Sequence, residues 1–316
     1  MEYFSDETVS GAQTPDKYQQ AIDQCNVETD DAVVNAQVSE LLSKHVAENS
    51  NPEVYKFLLN CIDLTTLSST DSEASVTAFT QRVNRFEEEH PELQNVAAIC
   101  VYANFAQVVR SVLEVSEVNV AVCSANFPSS QARLEVKTTE TALAVSDGAD
   151  EVDIVFPLGL FADGCYEEIA DEISEIKQSA GEARLKVILE TGSLRTAENI
   201  KKAAVLSMYS GADFIKTSTG KIYDGATVEA AYVMCQCIKD YYDKHGVMIG
   251  FKASGGISTT ADAVRYYTIV KEVLGEQWLT NEYFRIGASR LANALYKDIA
   301  GTDDSPFWHD IFQAFR

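Results

Sequence analysis

Short apolar runs alternate with longer amphipathic stretches from residue 57 onward. The eight runs are residues 57–64, 96–102, 118–124, 151–157, 185–191, 213–219, 250–255 and 283–288. Near-continuous apolar runs of this length are typical of buried parallel strands. The stretches between them, such as residues 70–89, 132–148 and 259–275, have helical apolar spacing and begin with capping or acidic residues. The pattern therefore predicts eight consecutive β/α units.

Eight units across about 240 residues match the size of a (β/α)8 TIM barrel. The alternative is a doubly wound parallel sheet, whose first strand is typically followed by a GxGxxG turn. No such turn follows residues 57–64. The predicted fold is therefore α/β, a (β/α)8 TIM barrel with an N-terminal helical extension.

The first fifty residues are acidic and show helix signals without a strand pattern. Thr14 before Pro15 predicts a capped helix start, and residues 30–46 have helical apolar spacing. We therefore expect three segments: an acidic helical extension over residues 1–50, the barrel over residues 51–300, and a C-terminal tail over residues 301–316.

The formal net charge of −23 argues against a nucleic-acid-binding protein, because the 25 Lys and Arg residues form no basic run. No stretch approaches the length of a membrane span and the N-terminus lacks an apolar signal segment, so we expect a cytoplasmic protein without a membrane partner. Seven cysteines without a CxxC pair indicate reduced thiols, and four dispersed histidines indicate no metal site.

Lys216 lies in an apolar run that is predicted to be a buried strand, where an ammonium group is costly unless something uses it. If Lys216 points into the barrel, the alternation along each strand places other ionisable residues inside as well. These are Asp63, Asp153, Lys186, Glu190 and Lys252, whereas their neighbours Val152, Ile154, Val187, Leu189, Ile215 and Phe251 face the helices.

Lys216 and Lys252 are predicted on adjacent strands, where two ammonium groups repel each other at a spacing of about 4.8 Å. A Schiff-base enzyme uses that repulsion, because a nearby cation favours the free amine that attacks a carbonyl. Asp153 is a candidate for the proton transfers of this chemistry. The alternative is that Lys186, Glu190 and Asp153 form a salt-bridge network that only fills the barrel.

Seven segments, in order and at matching spacing, resemble deoxyribose-phosphate aldolase. They are DLTTL (63–67), AAICVY (97–102), GADEVDIVFP (148–157), LKVILETGSL (185–194), GADFIKTSTGK (211–221), GFKASGGI (250–257) and FRIGAS (284–289). The resemblance implies a class I, metal-free lyase without a cofactor, which cleaves 2-deoxy-D-ribose 5-phosphate to acetaldehyde and D-glyceraldehyde 3-phosphate. By the same resemblance, Lys216 forms the Schiff base. Lys252 is then its charged neighbour and Asp153 part of the proton relay, with Asp63, Lys186 and Cys100 in supporting positions.

The loops SGGIST and IGASR follow the seventh and eighth predicted strands and contain glycines that suit anion binding at this end of a barrel. By the resemblance, the expected phosphate-binding residues are Gly220, Lys221, Gly255, Gly256, Ser258, Gly287, Ser289 and Arg290.

Four features depart from the family pattern. Ala253 stands where the family commonly has Pro, Ser258 where it has Arg, and Arg290 where it often has Ser or Thr. The chain also has no tyrosine after Tyr296, whereas some relatives place a terminal tyrosine in the site. We therefore expect Arg290 to supply the phosphate-binding charge that Ser258 lacks.

The expected partners are a small sugar phosphate and aldehydes, and a homodimer is one expected assembly state because the family is often dimeric. Two other functions stay open. One is another class I sugar-phosphate aldolase or a transaldolase, which would share the barrel and the lysine. The other is a non-catalytic phosphosugar-binding barrel, which would form no covalent adduct.

Overall fold

A computed structural model describes residues 17–307 of the chain. Three helices come first: α1 (Lys17–Gln24), α2 (Asp31–Asn49) and α3 (Pro52–Asn60). The strands that follow are β1 (Ile62–Thr65), β2 (Ala98–Tyr102), β3 (Asn119–Cys123), β4 (Glu151–Val155), β5 (Arg184–Ile188), β6 (Phe214–Lys216), β7 (Gly250–Ser254) and β8 (Phe284–Ala288). Each pairs in parallel with its sequence neighbours, and β1 pairs with β8 to close the barrel. The predicted (β/α)8 barrel is confirmed.

Every strand is followed by at least one helix that packs outside the barrel. These helices are α4 (Glu73–Glu89), α5 (Ala106–Val112), α6 (Leu134–Ser146), α7 (Leu158–Ala162), α8 (Tyr166–Ala180), α9 (Thr191–Leu194), α10 (Ala197–Tyr209), α11 (Val228–His245), α12 (Thr260–Leu274) and α13 (Leu291–Ala300). The helices predicted within residues 70–89, 132–148 and 259–275 are confirmed as α4, α6 and α12.

The first apolar run was only partly a strand, because residues 57–60 are the last turn of α3. Asn51 caps that helix by accepting a hydrogen bond from the backbone of Val54 at 3.2 Å, and Pro52 occupies its first turn. Val54 and Leu58, one helical turn apart, are both buried. The strand prediction was therefore wrong before residue 62.

The two faces of the barrel sheet carry different side chains. The outward residues pack with the helices in the main hydrophobic cluster, and they include Val152, Ile154, Val187, Leu189, Ile215 and Phe251. A second, smaller cluster comprises Leu67, Ala98, Cys100, Ala121 and Cys123. Cys100 and Cys123 lie beside the inward-facing Asp153, which places this small cluster on the inner wall of the barrel. The predicted alternation is confirmed.

Within the N-terminal extension, residues 31–49 form the predicted helix α2. Asp30 caps it by accepting hydrogen bonds from Ala32 N and Val33 N at 2.9 and 3.1 Å. The predicted start at Thr14 and Pro15 lies outside the described residues, as does the tail beyond residue 307. Across residues 17–307 no helix has the length and apolar character needed to cross a membrane.

Candidate active site

Seven buried ionisable side chains meet inside the barrel. Three are carboxylates and four are bases, and they come from six different strands: Asp63, Glu151, Asp153, Lys186, Lys216, Lys252 and Arg285. Charged residues are almost never fully buried unless they are paired. Every member of this set, which we call the barrel network, has at least one partner of opposite charge within it.

Lys216 and Lys252 are direct partners in the register of β6 and β7. Both donate to the same oxygen, Asp153 Oδ2, with Nζ to oxygen distances of 2.6 Å for Lys216 and 2.8 Å for Lys252. The predicted placement of the two lysines side by side is therefore what the structure has, and Asp153 bridges them. The second carboxylate oxygen, Asp153 Oδ1, is buried and accepts no hydrogen bond among the described residues.

Asp63 joins the lysine pair to the deeper part of the network. Its Oδ2 accepts from Lys252 and, at 2.7 Å, from Lys186. Its Oδ1 accepts from Arg285 Nη1 at 2.6 Å. Glu151 completes the arrangement by pairing with Lys186 and, at 2.8 Å, with Arg285 Nη2. These contacts leave Asp63 unable to move without breaking several ion pairs.

The network sets the charge of Lys252. Burial alone would lower the pKa of Lys252, but the carboxylates of Asp153 and Asp63 outweigh burial and raise it well above the usual value. Burial would likewise raise the pKa of Asp63, yet the cations of Lys186, Lys252 and Arg285 hold it well below its usual range. Lys252 therefore stays an ammonium ion at neutral pH.

The network holds four bases and three carboxylates, so full ionisation leaves one uncompensated positive charge. A buried uncompensated charge is strongly unfavourable, and the loss of one proton from a base removes it. Lys216 has one ion pair in the network, with Asp153, whereas Lys186 pairs with Asp63, Glu151 and Asp153. Lys216 is therefore the base of the network that is held by the fewest ion pairs.

A pocket of about 250 Å³ opens above Lys216 at the carboxyl ends of the strands. Its lining includes every residue that was predicted to bind phosphate: Gly220, Lys221, Gly255, Gly256, Ser258, Gly287, Ser289 and Arg290. Gly255 and Gly256 have φ values of +93° and +81°, which side chains disfavour. A Cβ at Gly255 would also lie 2.8 Å from Gly225 Cα, so the backbone can approach this closely only with glycine.

Of the residues that the structure describes, two basic side chains other than Lys216 line this pocket. Lys221 Nζ donates a hydrogen bond across the pocket to the backbone oxygen of Leu67. Arg290 immediately precedes α13 and is exposed. Among the described residues its guanidinium makes no hydrogen bond or ion pair. Arg290 is therefore the basic group of the pocket that is available to a ligand without breaking an existing contact.

A family model described as DeoC/LacD family aldolase matches residues 57–275. The chain belongs to this aldolase family. Deoxyribose-phosphate aldolase of Homo sapiens is 40% identical over 75% of this chain and 78% of its own. The Bos taurus protein of the same name is 38% identical over 76% of this chain and 79% of its own. The solved structure of QR15, an aldolase, is 28% identical with a TM-score of 0.62, covering 77% of this chain and 96% of its own.

These similarities confirm the predicted family resemblance and the predicted enzyme class, since aldolases are lyases. Cys100, which was expected in a supporting position, is buried on the inner wall of this aldolase and does not line the pocket. A hydrogen bond with Cys123 lowers the pKa of Cys100 despite burial. The thiols of both cysteines lie within 4.8 Å of an Asp153 oxygen. Cys100 thus lies beside the Asp153 carboxylate, below the pocket lining.

Sequence reasoning missed Glu151 and Arg285 in the barrel network of the aldolase. The signal was present, because Glu151 lies two residues before Asp153 on β4 and so shares its inward direction. Arg285 is the register partner of Lys252 on β8. The same reasoning placed Glu190 with the lysines, but Glu190 lies outside the network and bonds to Thr219.

Proposed function

We propose that the chain is a deoxyribose-phosphate aldolase, which reversibly cleaves 2-deoxy-D-ribose 5-phosphate to D-glyceraldehyde 3-phosphate and acetaldehyde. The observation that carries the proposal is the position of Lys216. It lines the pocket and shares an Asp153 oxygen with Lys252, an ammonium that is itself completely buried. Lys216 is the nucleophile, and Lys252 is the cation that keeps it an amine.

The reaction begins when the Lys216 amine attacks C1 of the open-chain sugar. The carbinolamine that forms loses water to give a protonated imine, which draws electrons from the neighbouring carbons. A base then removes the proton of the C3 hydroxyl, the C2–C3 bond breaks, and its electron pair forms an enamine on C2. D-glyceraldehyde 3-phosphate leaves, with the former C3 of the sugar as its aldehyde carbon.

The second half of the reaction returns the enzyme to its starting state. Protonation of the enamine at C2 gives the imine of acetaldehyde, and water hydrolyses that imine to acetaldehyde and free Lys216. Asp153 is the proposed proton carrier, directly or through a water, because its Oδ1 is buried beside the lysines and has no hydrogen-bond partner among residues 17–307. Asp63 and Lys186 hold Lys252 and Asp153 in place.

The phosphate of the substrate is proposed to bind at the other end of the pocket. The backbone around Gly255, Gly256 and Gly287 gives close approach there, and Ser258 and Ser289 add hydroxyl groups. Arg290 supplies the positive charge that Ser258, at the family's arginine position, cannot supply. Lys221 adds a second cation when its hydrogen bond to Leu67 breaks. Local charge is needed because the chain as a whole carries −23.

Another class I sugar-phosphate aldolase or a transaldolase is the alternative, and it would share Lys216 while accepting a different donor or acceptor aldehyde. A non-catalytic phosphosugar-binding barrel is less consistent with the two buried lysines that share Asp153. A homodimer, expected from the family resemblance, and a cytoplasmic location, expected from the amino-acid sequence, belong to the same proposal.

Reductive trapping tests the proposal directly. Incubation with acetaldehyde and borohydride should leave an ethyl group on the Lys216 amine, located by peptide mass mapping. Lys221→Ala is the matched control, because Lys221 lines the same pocket but binds no part of acetaldehyde. It should label as the unaltered chain does, whereas Lys216→Ala should not label.

Each other outcome has a definite meaning. A label on Lys252 or Lys186 would reassign the nucleophile, and no label at all would remove the Schiff-base mechanism. Labelling at Lys216 without cleavage of 2-deoxy-D-ribose 5-phosphate would favour the other class I aldolases, which a panel of acceptor aldehydes then separates.

A further inference from the structure

Glu190, two residues after β5 ends at Ile188, has an unusual backbone conformation. Its φ and ψ are 58° and 59°, in the left-handed region that glutamate rarely adopts. A residue with a side chain held there costs on the order of 1–3 kcal/mol, and it persists only where its surroundings require it. Something around Glu190 therefore requires this conformation.

The side chain of Glu190 is just as costly to place. It is 1% exposed, and no basic group of the described residues lies within ion-pair distance of it. A buried carboxylate without a cation is unfavourable unless hydrogen bonds compensate it. Both of its oxygens bond to one residue: Oε1 accepts from Thr219 N at 3.2 Å, and Oε2 accepts from Thr219 Oγ1 at 2.5 Å.

Thr219 passes this constraint to the loop that carries Lys221. Its Oγ1, having donated to Glu190, accepts from the backbone nitrogen of Lys221 at 3.1 Å. Gly220 between them has a φ of +70°, so the turn is tight. The position of the Lys221 backbone therefore depends on the direction of the Thr219 hydroxyl, which Glu190 sets.

The same turn after β5 also holds the far end of that loop. A Cβ on Gly192 would lie 2.5 Å from the backbone oxygen of Asp224, and one on Gly225 would lie 2.2 Å from that of Gly255. The chain from Glu190 to Gly192 thus packs against the loop after β6, which in turn packs against the loop after β7. The pocket floor at Gly255 is built on these contacts.

We propose that Glu190 is a positioning residue for phosphate binding, acting through Thr219 on the loop of Lys221. This rests on the proposed function, because it assumes that the pocket takes a phosphate group. Glu190 itself does not line the pocket and touches no substrate. Both its left-handed backbone and its buried carboxylate are explained if they are needed to hold Thr219 in place through two hydrogen bonds.

Two variants separate the carboxylate from the backbone strain. Glu190→Asn tolerates the left-handed backbone but is too short to reach Thr219, and Glu190→Gln keeps the length with one acceptor fewer. We expect Glu190→Asn to raise KM for 2-deoxy-D-ribose 5-phosphate about ten-fold, with a smaller rise for Glu190→Gln. We expect kcat, and KM for unphosphorylated deoxyribose, to change less than about two-fold in both variants.

Inorganic phosphate provides a readout that does not depend on catalysis. Calorimetry should show weaker phosphate binding to Glu190→Asn than to the unaltered chain, by a similar factor. If the unaltered chain binds phosphate but cleaves no sugar phosphate, the proposed function fails. The phosphate affinity of Glu190→Asn then still tests the role of Glu190. Equal phosphate affinity in the variant and the unaltered chain would overturn the inference.

A double-mutant cycle tests the route through Thr219. If Glu190 acts only through that hydroxyl, Glu190→Gln combined with Thr219→Val should raise KM no more than the worse single variant does. Fully additive effects would contradict the route. A Glu190 variant that loses stability in urea with no selective change in KM for the phosphorylated sugar would show a merely structural role.

Discussion

At the scale of single residues, the charge available in the pocket depends on which cations are already engaged. Lys221 is bonded to the backbone of Leu67, and Ser258 offers only a hydroxyl and a backbone N–H. Arg290 is free among the described residues, and its guanidinium can bind two phosphate oxygens together. Recognition of phosphate should therefore depend on Arg290 more than on any other side chain of the pocket.

We expect Arg290→Ala to raise KM for 2-deoxy-D-ribose 5-phosphate about ten-fold or more, which corresponds to about 1.4 kcal/mol for a lost charge-assisted contact. Cleavage of unphosphorylated deoxyribose should be nearly unchanged, because that sugar has no group for Arg290 to bind. Steady-state kinetics on both sugars makes the comparison.

Arg265→Ala is the matched control for Arg290→Ala. Arg265 lies on α12 and lines a neighbouring cavity with Gly256, but it does not line the pocket above Lys216. Its loss removes the same charge at the same end of the barrel, so it should change KM little. If the two variants raise KM equally, the overall electrostatic field of the protein, and not a direct contact of Arg290 with phosphate, is responsible for the change.

At the scale of secondary structure elements, the helical extension is tied to the barrel by buried polar contacts. Asn49, at the end of α2, is 2% exposed. Its Nδ2 donates to Thr268 Oγ1 at 3.1 Å, and its Oδ1 accepts from Lys271 Nζ at 3.0 Å. Both partners lie on α12, which follows the strand of Lys252. The end of α2 is therefore fixed to a barrel helix.

Asn49→Ala should lower the free energy of unfolding by about 1–3 kcal/mol, because the buried Thr268 hydroxyl and the Lys271 ammonium each lose a hydrogen bond. Urea unfolding at pH 7 measures the change. Lys44→Ala, on the exposed face of the same helix, loses only a solvated pair with Glu40 and should cost less than about 0.5 kcal/mol. Equal effects of the two substitutions would mean that this contact does not dock the helix.

At the scale of the whole molecule, the barrel network makes stability depend on pH in a definite direction. Burial acts to raise the pKa values of Asp63, Glu151 and Asp153. The surrounding cations outweigh burial and lower all three values, because they stabilise the ionised carboxylates. Groups with lowered pKa contribute stability above their unfolded values, about 3.9 for Asp and 4.3 for Glu. That contribution is lost as pH falls through the lower folded values. The raised pKa of Lys252 gives no loss until strongly alkaline pH.

We therefore expect the contribution of these three carboxylates to the free energy of unfolding to be level above about pH 5 and to fall steeply below about pH 4. Urea titrations across this range provide the measurement. Asp63→Asn should cost about 3–5 kcal/mol at pH 7, because it leaves Lys252 and Arg285 underpaired. It should also make the acid slope shallower, and an unchanged slope would exclude the network as its source.

The amino-acid sequence by itself determined the eight units, and through alternation it determined which ionisable residues point into the barrel. Asp63, Asp153, Lys186, Lys216 and Lys252 could be placed there because the two-residue period of a strand is a local property of the chain. The phosphate loops could also be recognised from the sequence, because the conformational freedom of glycine is a local property of the residue.

Which of those side chains touch depends on the packing of the whole barrel. Asp63 pairs with Arg285 because β1 closes the barrel against β8, and that contact joins residues at opposite ends of the chain. The left-handed turn at Glu190 and its bond to Thr219 also depend on how the loops pack. Local sequence sets the direction of a side chain, but its partner depends on the register and closure of all eight strands, which only the packed molecule determines.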